Sequence, residues 1–179
     1  FTVYIPLSGK EKIEFSNSTW YFPILIFLFI LVLFKSKKIV EKISSKRLFL
    51  LFSVAYLIVG LFLINRLVGG LRADAYNVYQ AAKEFNSGIF DSLTNRDGYL
   101  HLYPHQLGLM SLERIYIFLN DDEKLIYFIN LLFIIGTNFY IYKISLKLFK
   151  NQLVTNYSII LSFLFFPHFF FLTFAYGTI

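Results

Sequence analysis

Long apolar runs alternate with polar, charged stretches along this chain, and four of the runs approach the length of a membrane helix. They cover residues 20–34, 48–64, 125–142 and 153–176. A helix needs about 20 apolar residues to cross about 30 Å of hydrocarbon. The first run is short, but it begins with a tryptophan and a tyrosine, which favour the membrane interface. The pattern predicts an all-α, multi-pass transmembrane helical bundle in which segments 20–64 and 125–179 each supply two helices.

The segment between the second and third runs, residues 65–124, is polar and contains two weaker helical patterns. In "ADAYNVYQAAKEFNSG" an apolar stripe ends at Gly88 and predicts a short amphipathic helix on the membrane surface. The stripe consists of Ala75, Tyr79, Ala82 and Phe85. The second pattern, residues 107–119, is too short to span a membrane and contains Glu113 and Arg114, so it predicts a helix at the interface or in a cavity. Long loops usually carry function, and we expect the activity here.

Charge predicts the orientation of the chain in the membrane. Residues 35–47 contain six basic residues and one acid, and residues 143–150 contain three lysines and no acid. Both are predicted to be cytoplasmic by the positive-inside rule. In loop 65–124 eight acids outnumber six basic residues, so this loop is predicted to be extracellular or periplasmic, together with segment 1–19. The net charge of +6 is explained by this topology, and no nucleic-acid partner is predicted.

Composition agrees with an integral protein of the cell membrane. The chain is 57% hydrophobic and 21% aromatic, with a mean hydropathy of +0.61. It has no cysteine, which excludes a disulfide framework and a cysteine nucleophile. The chain begins at Phe1 and stops as an apolar run ends, so we expect a piece of a longer protein, truncated at both ends and inactive by itself.

Asp74 lies ten residues beyond the end of the second apolar run and has two interpretations. It is either a helix N-cap beside a snorkelling Arg72, or a functional carboxylate at the membrane surface. Further on, His101 and His105 are four residues apart, but Pro104 disfavours the helix that would align them, and there is no HExxH motif. No cofactor is therefore predicted with certainty. A bound divalent metal, hydrogen bonding to sugar or phosphate, and packing remain alternatives.

The order of these features resembles a known family. An acid after a membrane helix, then "AYNVYQAAKEFNSGIFD", then "YLHLYPHQLGLMSL", then apolar helices, is similar to the amino-terminal part of bacterial GT-C glycosyltransferases of the protein mannosyltransferase-like group. The resemblance covers about residues 48–179. It implies transfer of a sugar from a polyprenyl-phosphate or dolichyl-phosphate donor to a cell-envelope glycan, lipid or protein on the outer face. In such a family Asp74 would be the catalytic base. Ala75 stands where the family often has a second acid, so any second carboxylate stays open.

Transfer from a lipid phosphate needs a base for the acceptor proton and donors for the departing phosphate. Asp74 fits the first role. The candidate substrate-binding residues are Arg72, Arg96, Asp97, His101, Tyr103, His105 and Gln106. Two other classes stay open, a multi-pass transporter and a non-catalytic membrane scaffold or assembly subunit. A transporter should place polar residues within its spans, and here these are few: Asn130, Asn138, Asn156 and His168, the last beside Pro167 and predicted to be structural.

Overall fold

The computed structural model describes residues 2–4, 12–14, 21–66, 71, 73–165 and 167–168. Two short strands, β1 (Thr2–Tyr4) and β2 (Lys12–Glu14), pair antiparallel. The other elements are helical: α1 (Tyr21–Val40), α2 (Ser45–Arg66), α3 (Ala73–Asn86), α4 (Asp91–Thr94), α5 (Tyr99–Leu102), a 3₁₀ turn (Pro104–Gln106), α6 (Leu107–Leu119), α7 (Lys124–Phe149) and α8 (Gln152–Phe163). Apart from the small hairpin, the predicted helical class is confirmed.

Among the described residues, two helices are long and apolar enough to cross a membrane. They are α2, with 22 residues, and α7, with 26. Only 22% and 28% of their apolar windows is buried, whereas the core helix of a soluble domain is mostly covered. These helices match the second and third predicted runs, and they indicate association with a membrane.

The first and fourth runs stay predictions. Helix α1 covers most of the first run but carries Lys37 and Lys38 in its last turn. Helix α8 ends at Phe163, well before the predicted end of the fourth run. Pro167 accounts for this end, because its nitrogen has no hydrogen to donate to the Phe163 carbonyl four residues earlier. Residues 166 and 169–179 lie outside the described residues.

The chain divides into two compact units, each described by itself. The first comprises Phe1–Val54 and Asn138–Leu164, and the second Ala55–Thr137 and Phe165–Ile179. In the first unit α8 forms hydrogen bonds to the backbone at and just after the end of α1. The buried Asn156 donates from Nδ2 to the carbonyl oxygens of Val40 at 2.8 Å and Ile43 at 2.7 Å. These carbonyls lie at the end of a helix, where intrahelical donors run out.

In the second unit α3 packs against α5 and α6. The shared core contains Val78, Ala81, Ala82, Phe85, Leu100 and Met110. The predicted apolar stripe of α3 is confirmed, since all four of its residues are buried. One point of the prediction is corrected, however. Ala82 and Phe85 of the stripe pack in a core shared with α5 and α6 of the same chain, and Val78 and Ala81 widen the apolar face that builds this core.

We predict that Asn156→Leu destabilises the first unit by about 1–3 kcal/mol, because the buried Val40 carbonyl loses the amide donor that α8 supplies. The Ile43 carbonyl keeps a second donor, Nε2 of Gln152 at 2.7 Å. Thermal unfolding of the purified protein in detergent measures this loss. Ser158→Ala is the matched control, since its hydroxyl bonds only to Val154 of its own helix. Equal stability of the two variants would show that Asn156 does not fasten α1.

Candidate functional site

Asp74 lies in the first turn of α3 and is half-buried. Ala73 opens this helix with a φ of 48°, an uncommon value for a residue with a side chain, so the chain turns sharply where it enters α3. The carboxylate of Asp74 lies close enough to the hydroxyl of Tyr99, the first residue of α5, for its charge to raise the pKa of that hydroxyl. The side chain of Asp74 is thus aimed at a second element of the same unit.

Three aromatic rings continue from this carboxylate. The ring centroids of Tyr99 and Tyr103 are 5.0 Å apart, and those of Tyr103 and His105 are 6.1 Å apart with perpendicular planes. We call Asp74, Tyr99, Tyr103 and His105 the acid–aromatic row. It brings three of the predicted site residues together and adds Tyr99, which is not among the predicted site residues.

The geometry of the row depends on a tight approach at Gly98. A Cβ at this position would lie 2.4 Å from the carbonyl oxygen of Ser92, closer than atoms can pack. Glycine therefore lets the turn between α4 and α5 close. The start of α5, and with it Tyr99, is held at the entrance to α3.

Tyr99 remains a hydrogen-bond donor over the whole physiological range. Burial, and then the negative charge of the neighbouring Asp74, raise the pKa of Tyr99 to about 12. A neutral phenol that donates to one oxygen of a carboxylate fixes the orientation of that group. The other lone pairs of the carboxylate stay available to accept a proton.

Those of the remaining predicted residues that the structure describes have different settings. Arg72 lies outside the described residues. Arg96 and Asp97 are exposed in the turn between α4 and α5, and Asp97 shares with Tyr99 a cleft of about 290 Å³. The cleft is polar, and its lining includes Asn77, Gln80, Glu84, Asp91, Ser92 and Asn95.

The two predicted histidines differ in their contacts. His101 is exposed, with Nδ1 3.1 Å from the Leu93 carbonyl, which requires the proton on that nitrogen. The ring nitrogen Nε2 of His105 lies 3.4 Å from the side-chain amide nitrogen of Gln106. Gln106 is buried, so it reaches a ligand only through His105 or after a movement of this turn. Within the described part of the chain, no group of three or more metal-ligating side chains occurs.

A second polar cleft, of about 410 Å³, was missed by sequence reasoning. It lies between α3 and the segment before α7. Asp121 accepts from the Tyr79 hydroxyl at 2.8 Å and pairs with Lys83 at 2.8 Å, and these two partners lower the pKa of Asp121. Glu123 accepts from the backbone of Leu71 at 2.9 Å. These contacts attach both ends of the polar segment to each other.

Glu113 is the least expected side chain of the second unit. It is only 4% exposed, its Oε2 has no hydrogen-bond partner, and burial raises its pKa to about 8. The helical spacing of Met110, Glu113 and Ile117 could have revealed it, because this spacing places the acid on the core face of α6. The core of the second unit therefore contains a carboxyl group that is largely protonated at neutral pH.

Comparisons with known protein families, with curated proteins and with solved structures find no match to this chain. The class of protein therefore rests on the fold itself. The described part of the chain is helical. It contains two helices long and apolar enough to cross a membrane, and a polar helical segment lies between them in the sequence.

We predict that ionisation of Glu113 destabilises the second unit as pH rises. Its pKa is raised from 4.5 to about 8 in the fold, so between these values the folded state binds more protons than the unfolded state. Stability is then full below the lower value and declines up to the higher one. A tenfold change in proton affinity is about 1.4 kcal/mol, so the loss is of the order of several kcal/mol. Unfolding temperatures measured across this pH range report it.

Glu113→Gln keeps the shape of the side chain but cannot ionise, so the decline with pH should largely disappear. Glu84→Gln is the matched control on α3, where the side chain is half-exposed, and should keep the wild-type slope. If Glu113→Gln declines as steeply as the wild type, the buried carboxyl is not the cause.

Proposed function

We propose that this chain is part of a multi-pass membrane glycosyltransferase of the GT-C type. It transfers a sugar from a polyprenyl-phosphate donor to a hydroxyl group of a cell-envelope acceptor. One observation carries the proposal: the Asp74 carboxylate, beside the Tyr99 hydroxyl, stands at the start of the first helix after the candidate span α2. A carboxylate so placed is near the headgroup region, where a lipid-linked donor and a water-soluble acceptor meet.

Asp74 acts as the general base in this proposal. The acceptor hydroxyl gives its proton to Asp74 while its oxygen bonds to the anomeric carbon of the donor sugar. The bond from that carbon to the phosphate oxygen breaks, and the phosphate leaves with the electron pair on its lipid. Tyr99 is a positioning residue in this proposal, because a hydrogen bond from its hydroxyl would hold the carboxylate in one orientation.

The departing phosphate needs positive charge and hydrogen-bond donors. Arg96 is exposed close to the row, and a guanidinium can bind two phosphate oxygens at once. Arg72 and His101 are further candidates. His105, Tyr103 and Gln106 stand at the far end of the row, where we propose contacts to the sugar. The polar cleft that holds Asp97 provides amides and carboxylates of the kind that bind sugar hydroxyls.

A transporter is the second candidate, and Asn138 favours it. This α7 side chain is fully buried, and neither its nitrogen nor its oxygen has a hydrogen-bond partner. Polar groups within spans mark many transport paths. Asn138 is a single buried amide, whereas the acid–aromatic row contains four side chains, so we place transport second.

We predict that Asp74→Asn in the full-length protein lowers sugar transfer by roughly 100-fold or more, because an amide cannot take the acceptor proton. Transfer from a labelled polyprenyl-phosphate sugar in membranes measures this. Asp122→Asn is the matched control, since Asp122 is an exposed acid of the same unit that lies outside both the acid–aromatic row and the cleft that holds Asp97. If Asp74→Asn is fully active, Asp74 is a structural helix-start residue and the proposal fails.

The orientation of the chain gives a separate prediction. Asn95 and Ser44 are both exposed, and the chain has no native cysteine. A cysteine at Asn95 should react with a membrane-impermeant thiol reagent in intact cells, and one at Ser44 should react only after lysis. Labelling of Ser44 alone, or of both equally, would rule out a reaction on the outer face.

A further inference from the structure

An apolar groove of about 340 Å³ runs between α1 and α8 in the first unit. Each helix lines it with a single face, since the spacing is i, i+3, i+4, i+7 on α1 and i, i+4, i+8 on α8. The lining residues are Ile30, Leu33, Phe34, Lys37, Leu153, Tyr157 and Leu161. Such regular spacing makes the groove a property of the helix pair and not of one loose side chain.

Hydrogen bonds fix the two walls of the groove. The Tyr157 hydroxyl donates to the Leu33 carbonyl at 2.6 Å, and Asn156 donates to Val40 at the end of α1. The beginning of α8 thus lies beside the end of α1. From Ile30 to Lys37 the groove extends roughly 10 Å along α1, at 1.5 Å per residue.

The groove is apolar along its length and cationic at one end. Lys37 is the only charged residue among its lining side chains. Lys35 and Lys38 lie within one helical turn of Lys37. Residues 35–47 contain six basic residues and one acid, Glu41. Outside the groove α1 exposes further apolar side chains, with Phe27 60% and Val32 62% exposed. Water is a poor solvent for this surface, and a bilayer is a good one.

We propose that this groove binds one acyl chain of an anionic phospholipid, with Lys37 contacting the phosphate of its headgroup. A lysine can lay its aliphatic stem along an apolar groove while its ammonium stays at the polar mouth. Basic residues beside a membrane helix attract anionic headgroups, and each strengthens binding about fivefold. The inference rests on the proposed membrane location and not on sugar transfer, so the two can fail separately.

Native mass spectrometry of the full-length protein in detergent tests the proposal. The protein is incubated with phosphatidylglycerol or with phosphatidylcholine of the same acyl chains. The wild type should retain phosphatidylglycerol about fivefold or more in preference to phosphatidylcholine, and Lys37→Gln should reduce this preference about fivefold. Lys46→Gln is the matched control, because this lysine belongs to the same basic stretch but does not line the groove.

A second variant tests the apolar part of the groove. Leu161→Trp fills the end opposite Lys37, where the side chain is 47% exposed, and should weaken retention of both lipids alike. Equal retention of the two lipids by the wild type would overturn the proposal. So would equal losses in Lys37→Gln and Lys46→Gln, which indicate diffuse attraction, or a lipid-free dimer, which indicates a second copy covering the groove.

Discussion

The packing of α3 against α5 and α6 is the interaction on which the candidate site depends. Ala81 and Ala82 are almost fully buried, and their small side chains let the neighbouring helices approach closely. Phe85 and Met110 fill the space around them, and burial of a side chain of this size contributes about 1.5–3 kcal/mol. Leu100 belongs to the same core and directly follows Tyr99. The core therefore fixes α3 and α5 together, and the Asp74 carboxylate meets the Tyr99 hydroxyl as a consequence.

Glu113 places an ionisable carboxyl group among the apolar side chains of this core. A carboxyl group without a partner at Oε2 weakens a helix interface, because burial favours only its neutral form. On the neighbouring face of α3 the polar groups are well matched, since Tyr79 and Lys83 both bind Asp121. An exposed ion pair of this kind contributes little energy. Its contribution is geometric, because it holds the chain ahead of α7 against α3.

The helical elements could be predicted from the sequence because their signals are local. Helix α6 has the predicted bounds, and the stripe that contains Ala75 and Tyr79 is buried. The elements that pack against that stripe could not be predicted. Helical periodicity and composition identify the apolar face of a helix but not the part of the chain that covers it. The row from Asp74 to His105 was also beyond reach. Asp74 and His105 were candidates from the sequence, but the approach of Asp74 to Tyr99 depends on the close turn at Gly98, which only the folded backbone shows. Glu113 was overlooked, since an acid in a helix is ordinarily solvated.

The central claim is that a lipid-linked sugar binds beside the acid–aromatic row. A photoactivatable polyprenyl-phosphate sugar, irradiated with the full-length protein in its membrane, tests this claim most directly. We predict that the cross-linked peptides fall within residues 73–106, and that unlabelled donor displaces the probe from them. Cross-links confined to the apolar surfaces of α2 and α7, with no competition by unlabelled donor, would show that the row is not the donor site.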